Sequence, residues 1–494
     1  MPLSNREKNQ HLMWRAGFGP AAAQLQSLEN ISPVELYKAL QKVSSRKAEY
    51  IDVADGYLKG LVMGMQELGR QEKKDLPKEQ KKMLQQKSRQ AIKNLNLYWL
   101  NEMVDSEAQL REKMAFFWHG HFACRNLNVF YQQGLLDIIR RNALGNFRDM
   151  LHEVSKSAAM LNFLNNNQNR KGHPNENFAR EVMELFTMGR GHYSENDIKE
   201  AARAFTGWGA NLKGEFVFRK IQHDDDSKTV LGKTGNFDGE EVLDILLEQK
   251  QTATYITQKV YRFFVNEKED IEKVQWLADR FYNSEYNISS LMQDIFTSDW
   301  FYDKKNIGAK IKSPIELIAG IQRMLPMELE NEEVLLQVQR ILGQLLFYPP
   351  NVAGWPGGKT WIDSSSLMMR LRFPQLIYDT DELTIKPKDD DDQMMGKNDT
   401  GEMNEGENPN GGKAKRYGRG AKPVNATIEW NDYIKSFEKV PKDNLVVALS
   451  ALLLQTKSNV NAEVIKKYSD NSSRESFIKT ATIQLMSTPE YQLC

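Results

Sequence analysis

The sequence predicts a mainly α-helical protein: one large multi-helix domain, a small β-hairpin and a disordered insertion. Three observations carry this. Apolar residues recur at helical spacing along most of the chain. Helix-start signals, in which Ser precedes an acid by three residues, recur at Ser32–Glu35, Ser194–Asp197 and Ser313–Glu316. Strand-like alternation is confined to one stretch, residues 215–232.

Taken in order, HLMWRAGFG at 11–19 reads as a short helix ending in a tight turn, and Ser32-Pro33 opens the next helix with proline in its first turn. Residues 60–104 read as a solvent-projecting helical hairpin, because the run KEQKKMLQQK has little apolar face. Its later part packs through Ile92, Leu95, Trp99 and Met103. LREKMAFFWHGHF at 110–122 is a helix, and residues 138–166 read as another, leading to the polar loop NNNQNRKGH. Glu215–His223 alternates as a strand, with Thr229–Leu231 as its returning partner. Helices follow from Gly239 through Leu345. Pro349, Pro350, Pro356 and three glycines then forbid regular structure between Tyr348 and Lys359, and Trp355 and Trp361 bracket that turn. Residues 386–425, with four consecutive Asp and then KAKRYGRGAK, are a low-complexity insertion. Residues 1–385 and 426–494 together make the helical domain.

Composition removes several function classes. The 494 residues carry 66 basic and 66 acidic side chains, so no global charge argues for nucleic acid or an anionic membrane. Two cysteines, Cys124 and Cys494, exclude a disulfide framework and a cysteine-based zinc site. No apolar run reaches the length of a membrane span. The first residues, MPLSNREKNQHLMW, hold no apolar signal core, so a cytoplasmic location is the expectation and export the alternative. HEVSK at 152–156 lacks the second histidine of a zinc-binding helix, and GKT at 232–234 lacks the upstream glycine of a phosphate loop. No G-x-S-x-G elbow occurs.

The densest candidate stretch is NENFAREVMELFTMGRGHYSENDIKEAARAFTGW, residues 175–208. On a helix, Phe178, Val182, Leu185 and Phe186 form an apolar stripe, with Asn177, Arg180, Glu181 and Glu184 beside it. Gly189 and Gly191 stop the helix, and Ser194 opens a second one with Ile198, Ala201, Ala202, Phe205 and Trp208 on its apolar face. The plain reading of the polar stripe is a solvated face. In the sharper reading Glu181 and Glu184 face a cleft, where two carboxylates share a metal ion or divide acid and base work, and Arg180 holds an anion. His119 and His121 lie about 200° apart on a helix, so they grip one ion only if Gly120 breaks it. His223 begins the turn HDDD, which is either a polar hairpin tip or a source of hard oxygen ligands and an imidazole.

Seven stretches together resemble one family: HLMWRAGFG, REKMAFFWHGHFA, NENFAREVMELFTMGRGHYSENDI, AARAFTGW, HDDDSKTVLGKTGNFDG, PPNVAGWPGG and LMSTPEYQL. This is the bacterial family catalogued as domain of unknown function eighteen hundred, and the resemblance runs from near residue 10 to the end, less the insertion. It implies a large helical protein with no established reaction. It also implies a partner of alkaline-phosphatase or sulfatase type, since the genes often adjoin. Many relatives read His where Phe186 stands here, so a site needing that imidazole does not carry over; many also look exported.

The expectation from residues and resemblance together is a polar cleft joining His119, His121, Arg180, Glu181, Glu184 and His223, walled by the Trp355 loop. A divalent metal ion held by His119, His121 and His223 would activate water, with Arg180, Glu181 and Glu184 as catalytic groups of a hydrolase. The alternative is a non-catalytic partner or scaffold protein, in which the same side chains form a buried hydrogen-bond network.

Overall fold

The computed structural model describes residues 3–60, 78–211, 213–379 and 424–494. Helices dominate, as their start signals lead one to expect. Ser4, Ser32, Ser194 and Ser313 each close a capping box on Glu7, Glu35, Asp197 and Glu316. Each box satisfies donors that a helix N-terminus otherwise leaves open. Among the described residues no helix is long and apolar enough to cross a membrane.

Buried apolar side chains from Leu12 to Tyr491 make one continuous core. Helix Gln109–His121 runs through its middle, and twelve of its thirteen residues are buried. Such a helix has no polar face to give to solvent, so its charges need partners inside. Glu112 is the clearest case: it accepts from Trp99 Nε1 at 3.0 Å, Arg111 Nε at 2.9 Å, and both Nε and Nη2 of Arg140 at 2.9 Å. Lys113, one residue on, pairs with Glu316 across the core.

Helix Lys78–Asp105 shows the expected change of character. Its described early turns are mostly exposed, and from Ala91 onward Ile92, Leu95, Trp99 and Met103 are buried. The rest of the expected hairpin, residues 61–77, lies outside the described residues. So does the insertion at 386–425 apart from its end. There Val424 is buried and the Asn425 carbonyl accepts from Glu330, so the fold resumes slightly earlier than the composition implies.

The β structure differs from the expectation. Phe216–Phe218 pairs backwards with Trp208–Ala210, Trp208 lying opposite Phe218. Lys228–Val230 pairs with Lys233–Gly235. Two short hairpins therefore stand where one was expected, and Trp208 leaves the helix for a strand. Two local causes are visible. Gly207 turns the chain at φ 80°, and Lys220–Gln222 winds into a 3-10 turn that ends the strand early. Leu231 and Gly232, at φ 49° and 81°, supply the two left-handed residues of a tight two-residue hairpin. A third pair joins Met327–Leu329 to Ala426–Ile428 across the insertion. The stretch expected as one helix over 138–166 is three: Val129–Asn142, Phe147–Lys156 and Ala158–Phe163.

In the central stretch the α-helix stops at Glu181 and a π-helical turn, Val182–Thr187, follows. Thr187 Oγ1 donates to the Val182 carbonyl at 2.7 Å, five residues back, which stabilises the wider turn.

Candidate functional site: a cationic, aromatic-walled cavity

The fold brings two of the singled-out stretches together around one cavity of about 570 Å³, and a third lies behind its wall. Helix Gln109–His121 contributes Phe117, Gly120 and His121. The proline-glycine loop contributes Trp355 to Lys359, with Trp361 behind it. Helix Lys250–Phe264 adds Lys259, Arg262 and Phe263, and the strand-like segment before Ser313 adds Lys310.

The π-turn braces the cavity from behind, its backbone meeting two of the lining side chains. His121 Nε2 lies 3.2 Å from the Phe186 carbonyl oxygen, and Lys259 Nζ donates to the Leu185 carbonyl at 3.3 Å. Lys259 Nζ also lies 3.2 Å from His121 Nδ1. These contacts fix the tautomer: Nε2 carries the hydrogen and donates to Phe186, and Nδ1 accepts from the amine. Burial, then the charge of Lys259, pushes the His121 pKa well below its usual value, so the ring is neutral. Burial, and then Arg262, brings Lys259 down to about 8.

Glycines let the loop close over this point. Gly354 sits at φ 81°, and a Cβ there would collide with the Gly120 carbonyl oxygen. A Cβ on Gly358, at φ 58°, would come within 2.8 Å of the Glu267 carboxylate. His119 anchors the approach to the loop. Its Nε2 accepts from the Phe347 N–H at 3.2 Å, and Phe347 itself holds a left-handed φ of 68°. For a bulky residue that conformation persists only when its surroundings impose it. The rings of Trp99, Phe347 and Trp355 surround His119 at 5.0–5.5 Å, and burial drives its pKa down to about 3.

Four cationic side chains, Lys259, Arg262, Lys310 and Lys359, line the cavity against two carboxylates, Glu267 and Glu316. Several are already engaged. Arg262 pairs with Glu269, and Glu316 with Lys113. Burial alone would raise the Glu316 pKa, but Lys113 and Lys310 hold it far below the carboxylate range. Lys310 donates to the Phe263 carbonyl and lies 4.4 Å from that ring's centroid; burial lowers it to about 8, against the pull of Glu316.

The other expected site residues lie apart from this cavity. Arg180 is bound in bidentate fashion to Glu195, at 2.9 and 2.7 Å, and also reaches Glu176. Glu184 accepts from Tyr193 Oη at 2.8 Å and pairs with Arg190. Glu181 is half-buried, and burial followed by the charge of Glu184 raises its pKa. His223 Nδ1 is 3.0 Å from the Thr206 carbonyl oxygen, with its ring edge-on to Phe218. The neighbouring Asp224 binds Arg203 at 2.8 Å, and Asp225 pairs with Lys220.

The structure gives His119, His121 and His223, expected around one ion, different surroundings. Each imidazole has separate partners, and among the described residues no group of three or more His, Cys, Asp or Glu is placed to hold a metal ion. His119 and His121 share a helix but serve different neighbours, as their angular separation requires.

Lys259, Arg262 and Lys310 escaped the sequence reading. A signal was present for Lys259: on its helix it continues the row Thr252, Ile256, Lys259, Phe263, a lysine in an otherwise inward-facing stripe.

No curated protein and no solved structure is significantly similar to this chain. A family model does match, over residues 11–493. The chain therefore belongs to the family described as protein of unknown function, DUF1800.

Proposed function

We propose that this protein binds a small anionic molecule in the cavity between the FWHGHF helix, the proline-glycine loop and helix Lys250–Phe264. One observation carries the reading: two buried amines, Lys259 and Lys310, line a single aromatic-walled cavity. Burying ammonium groups is costly, and their folded-state pKa values fall as a result. An anion entering the cavity returns that cost, because each charge gains a partner in a poorly screened setting. Trp355, Trp361 and Phe263 provide apolar walls, a common division of labour in small-molecule sites. Lys259 has a third donor position beyond those used for His121 and Leu185.

A metal-dependent hydrolase finds less support in the side chains. His119 and His121 use their acceptor nitrogens on Phe347 and Lys259, and Arg180 is engaged by carboxylates. Of the carboxylates first singled out, Glu181 is best suited to exchange a proton, since its pKa is raised.

The test is thermal unfolding with phosphate, sulfate, acetate and glyoxylate against neutral analogues, each with and without zinc or manganese. A ligand at about 100 times its Kd stabilises the fold by about 2.7 kcal/mol. The expected result is stabilisation by one class of anion, reduced in Lys259→Met and Lys310→Met. Stabilisation by metal alone, unchanged in both variants, would return the metal-site reading.

A further inference from the structure

We infer that Lys259 is a nucleophilic amine that forms an imine with a small carbonyl-bearing anion, such as a 2-oxo acid or an aldehyde acid. This rests on the anion-binding reading and adds a reaction class to it.

The geometry around Nζ supports the assignment. A neutral amine has two N–H groups and one lone pair, whereas an ammonium has three N–H groups and none. Lys259 is offered two protein acceptors, His121 Nδ1 at 3.2 Å and the Leu185 carbonyl at 3.3 Å. Both are held rigidly: the first by the bond from His121 Nε2 to the Phe186 carbonyl, the second by the π-turn. Two acceptors use two of the three positions on Nζ; the third is a donor in the ammonium form that meets an incoming anion and is the lone pair once the proton leaves. The charged groups around Nζ favour the neutral form: among the described residues no carboxylate pairs with it and Arg262 lies one turn on, while the Tyr255 ring, 4.9 Å away, acts in the opposite sense, towards the cation. Burial and Arg262 both lower its proton affinity.

Lys310 is the internal comparison. It lines the same cavity and is the more fully buried of the two, and each amine has an aromatic ring under it, but only Lys310 is faced by a carboxylate, that of Glu316. Glu316 favours the cation, so Lys310 is suited to hold the anionic end of a ligand while Lys259 meets the carbonyl.

The step balances without an oxidant or a metal. The Nζ lone pair attacks the carbonyl carbon, the C=O π pair moves to oxygen, and one of the two N–H protons passes to that oxygen, giving a neutral carbinolamine whose nitrogen has regained its lone pair. The nitrogen lone pair then expels that hydroxyl, protonated, as water. Loss of the remaining N–H proton leaves the C=N bond, and hydrolysis reverses the sequence.

The experiment treats the full-length protein with glyoxylate and cyanoborohydride at neutral pH, then maps the reduced adduct by peptide mass spectrometry. Propanal serves as the neutral probe, and anion binding is measured in parallel by calorimetry. The expected result is one adduct per chain at Lys259, formed faster with glyoxylate than with propanal. Lys259→Arg should lose the adduct while keeping its fold, read by thermal unfolding, and Lys310→Met should keep an adduct at Lys259 but form it more slowly with glyoxylate. Adducts scattered over surface lysines, or placed on Lys310 with Lys259 unmodified, would overturn the assignment even if anions bind. Lys259 labelled equally by both probes in a protein that binds no anion would keep the amine chemistry and remove the reading beneath it.

Discussion

At the scale of single residues, this protein is distinguished by charges placed where water does not reach. Glu112 is fully buried, and Arg111, Arg140 and Trp99 share its two oxygens. Removing it would take the buried carboxylate from both guanidinium groups, leaving Arg111 the Arg46 carbonyl and Arg140 the Glu49 carbonyl and the more exposed Glu102. Glu112→Leu is therefore expected to cost about 3–5 kcal/mol in urea unfolding at pH 7, although leucine is the more hydrophobic side chain. Lys312 behaves differently. Its Nζ donates to the Tyr491 carbonyl at 2.6 Å and lies 3.7 Å from the centroids of Trp14 and Tyr491, yet burial brings its pKa down to about 7. The unfolded value is about 10.4, so between those limits the unfolded chain binds the extra proton and stability rises with pH. Comparing wild type with Lys312→Met cancels the contributions of other groups. Wild type should gain on the variant from pH 7 to pH 10, by up to about 4 kcal/mol, with no further change below pH 6. A stability difference flat across that range would mean that Lys312 stays charged.

At the scale of elements, two neighbouring glycines make opposite predictions. Gly354→Ala places a side chain at φ 81° against the Gly120 carbonyl, so loop closure should suffer by at least about 1–2 kcal/mol. Gly120→Ala meets nothing within 4 Å and lies in a helix, so it should be neutral or stabilising by up to about 1 kcal/mol. Thermal unfolding of the pair checks both signs. The element scale also shows what sequence reading can reach. Capping boxes at Ser32, Ser194 and Ser313 were legible because the signal is local: one hydroxyl, one carboxylate, three residues apart. The irregular Trp355 loop was legible because proline and glycine exclude ordered alternatives. The π-turn was not. Phe178, Val182, Leu185 and Phe186 fit a 3.6-residue period, and the wider turn depends on where the Leu185 and Phe186 carbonyls must point to meet Lys259 and His121. That requirement comes from another helix 74 residues away. Strand pairing failed for a similar reason. Alternation marks Phe216–Phe218 as extended but carries no information on whether its partner precedes or follows it.

At the scale of the whole molecule, one core holds several widely separated stretches together, and the candidate site is where helix Gln109–His121, the Trp355 loop and helix Lys250–Phe264 meet. His121 and the Trp355 loop, both singled out from sequence, line the same cavity. Arg180, Glu184 and His223 form ion pairs or backbone contacts elsewhere. Histidines and paired acids attract notice in a sequence because their chemistry is familiar. A lysine within an amphipathic helix reads as surface, and only the packing around Lys259 and Lys310 shows that it is not. Calorimetric titration of the full chain with inorganic phosphate and glyoxylate, at low and high salt, tests the central claim most directly. The account predicts one saturable site per chain. Binding should weaken roughly tenfold in Lys259→Met and in Lys310→Met, as expected for the loss of one charged hydrogen bond of about 1.5 kcal/mol. An absence of saturable binding, or equal affinity in wild type and both variants, would contradict it.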